Sequence, residues 1–91
     1  MTLKDGITGW EARPDAEVLQ ALARQDLSAL LELHRRYARL LYALAWKEQR
    51  PDPEQWVQDV FVSIMHHADS FSRTSLHPRI WMVMMARRVS S

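Results

Sequence analysis

Asp59, His66 and His67 fall within one stretch and raise the question of a metal site. Helical geometry argues against it. Adjacent side chains on a helix point about 100° apart, and no Glu-x-x-His or His-Glu-x-x-His spacing supplies ligands that converge. The chain has no cysteine, Gly-rich phosphate loop or nucleophile elbow, so neither catalysis nor a cofactor is expected. What remains is binding chemistry of two signs. Between Pro51 and Phe71 the charges are Asp52, Glu54, Asp59 and Asp69, with no Lys or Arg. From Ser72 to Ser91 they are Arg73, Arg79, Arg87 and Arg88, with no acid. The net charge of +1 hides this division. It suggests two partners of opposite charge, or two segments that pair with each other.

The acidic stretch must be carried by a helix. Asp52 reads as its N-cap, Pro53 as its first residue, and Gln55 as the far half of a capping box. Trp56, Val57, Val60, Phe61, Ile64, Met65 and Ala68 recur at helical spacing as the buried face. Gln55, Gln58, Asp59 and His66 form a polar ridge interrupted by Val62, either a solvated side or a docking surface. The basic stretch divides into a polar loop, Asp69 to His77, and a helix opened by Pro78. Ile80 to Ala86 is apolar almost all round, so that helix is expected to be wrapped by the others, and Arg87 and Arg88 at its end complement its dipole.

Two further helices precede these. Asp15 is expected to cap a short one carrying Val18, Leu19, Leu22 and Ala23, and Asp26 to cap a long one from Leu27 to near Glu48-Gln49. The long helix stops because Arg50-Pro51-Asp52-Pro53 cannot continue it. Arg35, Arg36 and Arg39 read as a solvated face or as a face for phosphates, and Tyr37 and Tyr42 as core and rim. Residues 1–14 hold both glycines and no periodic apolar pattern, and read as a flexible leader whose Trp10 either docks on the helices, the commoner outcome, or belongs to another contact. Residues 15–91 then form one all-α domain, a compact bundle of about four helices around Leu30, Leu33, Leu40, Leu44, Val57, Val60, Phe61, Ile64, Trp81 and Met85. The longest apolar run is too short to span a bilayer, no signal pattern opens the chain, and the lack of cysteine fits a reducing cytoplasm.

Glu54 to Val62 resembles the acidic, Gln-containing helix in the second conserved region of bacterial RNA polymerase sigma factors, especially the extracytoplasmic-function group. Other landmarks keep the family order: Asp15 to Leu22 with Gln25-Asp26, Ala29 to Leu44 with Arg36-Tyr37, Phe71, Trp81-Met82, and Met85 to Arg88. The resemblance implies a promoter-melting domain. It places Gln55, Gln58, Asp59 and Val62 against the clamp helices of the polymerase β′ subunit, with Gln58 and Asp59 as the family's Gln-acid pair. It assigns Phe71, Ser72, Arg73, Thr74 and Ser75 to a loop that captures an extruded base. With Arg79 and Arg88, that loop would grip the single-stranded non-template strand of the minus-ten element. An anti-sigma factor is a further implied partner, and no membrane is.

The chain departs from the family pattern at Gln55, where Asp is usual, at Met65, where Trp is common, and at Arg88, where Asn usually helps to read the base. Gln55 removes one charge but keeps a hydrogen-bonding group. Arg88 carries a fork that suits the O6 and N7 of guanine. The family pattern goes on to a basic extension of the last helix and a second, minus-thirty-five-reading domain, so an excised domain or a shortened relative is expected. The competing reading is a helical adaptor that binds one protein through the acidic ridge and never meets DNA.

Overall fold

The computed structural model describes residues 9–89. Four helices follow in order: α1 Asp15–Ala23, α2 Leu27–Lys47, α3 Pro53–Phe71 and α4 Pro78–Arg87. The all-α expectation holds, and no strand occurs among the described residues. α3 is the centre, packing against all three other helices, while α1 also lies along α2. Val18, Leu19, Leu22, Leu33, Val57, Val60, Ile64 and Trp81 are the large, fully enclosed apolar side chains. Leu30, Leu40, Leu44 and Met65, expected inside, are only half-buried, and of these Leu30, Leu44 and Met65 pack at the edge of the core. Residues 1–8 of the expected leader lie outside the described residues.

The starts of α2 and α3 follow from their caps. The Asp26 carboxylate accepts from the Ser28 backbone N–H at 3.0 Å and from its hydroxyl at 2.6 Å. The hydroxyl bond above all, helped by the backbone bonds, holds the Asp26 pKa below its ordinary value. Ser28 Oγ in turn accepts from the Trp10 indole at 2.9 Å, so Trp10 docks on α2. Asp52 accepts from the Gln55 N–H at 3.2 Å, with Pro53 in the first turn. Asp15 departs from expectation: Pro14 occupies the N-cap position of α1 without a side-chain bond, and Asp15 is the first helical residue. Its carboxylate is drawn away by α2, where Arg36 Nη1 approaches to 2.6 Å and the Tyr37 hydroxyl donates to it.

Both ends of the α1 and α2 segments close without glycine. Gln25 (φ 65°) and Gln49 (φ 56°) take the left-handed conformation one residue past the helix cap. The bonds Asp26 N to Ala21 O and Gln25 N to Leu22 O form a Schellman closure, repeated by Arg50 N to Ala45 O and Gln49 N to Trp46 O.

Two expectations are corrected. α3 continues through Asp69, Ser70 and Phe71, which were expected in a loop. The apolar stripe explains the extension, since Ile64, Ala68 and Phe71 keep the same i, i+4, i+7 phase and are all buried. Nor is α4 wrapped on every side: Ile80 and Met84 are 54% and 46% exposed, because α1 and α3 cover only the face of Trp81, Met82, Met85 and Ala86.

Candidate functional site

On α3, Gln55, Asp59, Val62 and His66 repeat at i, i+4, i+7 and i+11 and share one exposed face, with Gln58 beside them. The capping box is half formed. Asp52 receives the Gln55 N–H, but the Gln55 side chain turns along the helix and donates from Nε2 to Asp59 Oδ1 at 2.9 Å. That bond aims the Asp59 carboxylate outward and leaves its other oxygen free. Among the described residues no cation lies within ion-pair distance of Asp59 or Glu54. The acidic and basic segments therefore do not neutralise each other at this ridge. Val62, 46% exposed, gives the face an apolar centre. Towards its C-terminal end the ridge enters a groove of about 570 Å³, where His66 and Asp69 face Leu22, Leu27 and Met65.

The basic half is less unified than its sequence suggests. Phe71, expected to open the base-capturing loop, is the last residue of α3; it is 7% exposed and meets Trp81 edge-on at 5.7 Å between ring centres. Its ring supports the turn from beneath and presents almost no face to solvent. Ser72 and Thr74 spend their hydroxyls on the carbonyls that end α3: Ser72 Oγ donates to Asp69 O at 2.8 Å and Thr74 Oγ1 to Phe71 O at 2.9 Å. Arg73 lies 3.9 Å from Asp69 in an exposed i, i+4 pair that is weak in water. Ser75 is exposed in the same connection.

α4 is opened by His77, whose ring nitrogen accepts from the Arg79 N–H at 3.2 Å, and by Pro78. Arg79 is exposed in its first turn, and Arg88 is exposed as its C-cap. Nine residues of helix place them about 14 Å apart along the axis and roughly on opposite sides. Of the expected DNA-facing set, Ser72 to Ser75 and Arg79 come together at one end of α4, while Arg88 stands at the other.

Sequence reasoning missed a second concentration of charge. Glu32 is fully buried, and both Arg35 (3.0 and 2.6 Å) and Arg36 bond to it. Arg36 also binds Asp15 and donates to the Trp10 and Arg13 carbonyls at 2.7 and 2.8 Å. Burial opposes the Arg36 charge, but the bonds to Glu32 and Asp15 outweigh it and hold its pKa up. Burial, reinforced by the bond to Asp15, pushes the Tyr37 hydroxyl up to about 12. Arg36 is thus neither a solvated group nor a phosphate ligand but the clasp between α1, α2 and the segment before them. The available signal was Arg36 lying four residues after Glu32 on the apolar side of α2.

A model of the sigma-70 region 2 family matches residues 33–91, which span most of α2 and all of α3 and α4. The chain belongs to the sigma-70 region 2 family. No curated protein and no solved structure gives a match. Membership assigns the domain to transcription initiation, with core RNA polymerase and promoter DNA as its general partners. The match begins at Leu33, so α1 and the Glu32 end of the clasp fall outside it, although the sequence resemblance extends back to Asp15. Region 2 is a regulatory, DNA-binding domain rather than an enzyme. No helix among the described residues is long and apolar enough to cross a membrane.

Proposed function

We propose that this chain is the region 2 domain of an extracytoplasmic-function-type sigma factor, working in the cytoplasm. The α3 ridge of Gln55, Gln58, Asp59 and Val62 docks on the β′ clamp helices. Residues 15–91 act as the domain and residues 1–14 as its leader. The observation that carries this reading is Asp59, an exposed carboxylate bonded by Gln55 and with no cation in ion-pair distance among the described residues, on a helix inside the family match. A basic partner surface would complete it, and a desolvated interfacial charge pair of this kind contributes about 2–5 kcal/mol when one member is lost.

On the DNA side, Ser72, Arg73, Thr74 and Ser75 surround the captured base of the non-template strand, and Phe71 and Trp81 form the floor beneath them. Arg79 and Arg88 meet the strand at the two ends of α4. Arg88, with its fork, sets a preference for guanine where it reads a base. An anti-sigma factor would compete for these same surfaces. A second reading, a helical adaptor without DNA binding, is favoured by the burial of Phe71 and the pairing of Arg73 with Asp69. The two separate in one pair of experiments. As bait in a bacterial lysate, the chain should recover the large polymerase subunits, and Arg88→Asn should alter base preference among minus-ten single strands differing at one position. Recovery of polymerase with no single-strand binding at low salt would favour the adaptor, and failure to recover polymerase would remove the sigma-factor reading.

A further inference from the structure

The outward face of α2 near its C-terminal end has no role in the fold or in the surfaces above. Trp46 there is 72% exposed, whereas Trp56 and Trp81 are each 2% exposed. Arg39, seven residues earlier, and Ala43 share its side of the helix, Lys47 follows it, and half-buried Tyr42 borders it. No acid among the described residues lies within ion-pair distance of Arg39 or Lys47. The same end of the molecule receives the end of α4: Arg87 approaches Glu48 to 3.8 Å, and the Trp56 indole donates to the Val89 carbonyl at 3.3 Å. Arg88 and Trp46 therefore stand at one pole, where α2 and α4 both terminate.

We propose that Arg39, Trp46 and Lys47 form a second contact site for single-stranded nucleic acid, continuing the path of the strand that reaches Arg88. This rests on the proposed DNA role of α4. The indole offers an open π face on which one base stacks, and the two cations, which meet no acid among the described residues, lie within reach of its flanking phosphates. Charge alone would admit any polyanion. The exposed ring selects single strands, because duplex bases keep their faces stacked inside the helix and an acidic peptide presents no ring system to match.

The test titrates the whole chain with oligothymidylate at low salt, reading fluorescence anisotropy of the labelled oligonucleotide and quenching of tryptophan emission. Duplex DNA and polyglutamate serve as controls. Wild type should bind with quenching, and Trp46→Ala should lose roughly tenfold to a hundredfold in affinity with an unchanged melting temperature. Arg39→Ala with Lys47→Ala should flatten the salt slope by about 1.4, from roughly 0.7 per lost phosphate contact. Wild-type affinity in Trp46→Ala with a loss in Arg88→Ala would overturn the α2 site and leave the α4 reading standing. A loss in Trp46→Ala with none in Arg88→Ala would keep the α2 site and sink the α4 reading. Equal binding of duplex or polyglutamate, insensitive to Trp46→Ala, would reduce the face to a patch that attracts anions and overturn the proposal.

Discussion

The exposed ridge of α3 and the clasp between α1 and α2 use the same kinds of residue to opposite ends. On α3, Asp59 keeps one hydrogen bond along its own helix and turns its charge to solvent. In the clasp, Glu32 and Asp15 are consumed by Arg35, Arg36 and Tyr37, with Glu32 fully enclosed. The difference lies in what each carboxylate gives up. A buried acid has lost its water and depends on its partners, so its loss is a loss of fold. An exposed acid has given up little, and its charge remains available to another molecule. Charge that matters for folding and charge that matters for recognition are therefore separable here, and substitutions should sort them.

The largest effect is expected at Arg36. Arg36→Ala strips Glu32 of one partner, frees Asp15 and releases the Trp10 and Arg13 carbonyls. Arg35 remains on Glu32, which puts the cost near the lower end for a broken buried pair, about 3 kcal/mol. For a chain of this size that lowers the melting temperature by more than about 10 °C. Replacing the pair together, Glu32→Met with Arg36→Leu, should recover part of the loss, because no orphaned charge then stays buried. A melt as stable as wild type for Arg36→Ala would erase the contrast between the two regions.

Alkaline pH probes the same clasp without mutation. Tyr37 is held up to about 12 in the fold against an ordinary 10, so its protonated form belongs to the native state. The stabilisation is complete below pH 10 and is lost as pH rises from 10 towards 12, where the unfolded chain releases the proton first. Urea unfolding across that window should show a fall that is shallower in Tyr37→Phe. Identical slopes would place the Tyr37 hydroxyl outside the network.

Gln25 sets the turn that brings Asp15 to Arg36. A residue with a side chain costs roughly 1–2 kcal/mol in the left-handed conformation, and glycine returns part of the gain through a more flexible unfolded chain. Gln25→Gly should thus stabilise by about 0.5–1 kcal/mol in denaturant unfolding. A loss of stability would mean that the Gln25 side chain itself holds the turn.

The smallest expected change in stability is on α3. Gln55→Asp restores the residue usual in the family but sets two carboxylates one turn apart, costing about 0.2–0.5 kcal/mol. If the ridge meets cations, the same change should tighten polymerase binding; weaker binding would point to an interface read by the Gln55 amide.

The starts of α2, α3 and α4 were legible because Asp26, Asp52 and Pro78 are local signals that tertiary packing did not override. So was the ridge, since a strong apolar stripe on α3 fixes which residues face outward. The end of α3 was hidden by serines that favour loops, although Ala68 and Phe71 continued the stripe. The turns after α1 and α2 carried no glycine to announce a left-handed residue. Asp15 had the chemistry of a cap, and only the approach of α2, a contact between distant residues, gave it other partners. For the same reason, Phe71 could be placed in sequence but not in depth.

The most direct test of the central claim measures core-polymerase affinity and melting temperature side by side for Asp59→Arg. Recognition that is separable from folding predicts loss of polymerase binding with the melting temperature unchanged, since exposed substitutions of this kind stay within about 0.5 kcal/mol. Full binding by Asp59→Arg, or a variant that no longer folds, would contradict it.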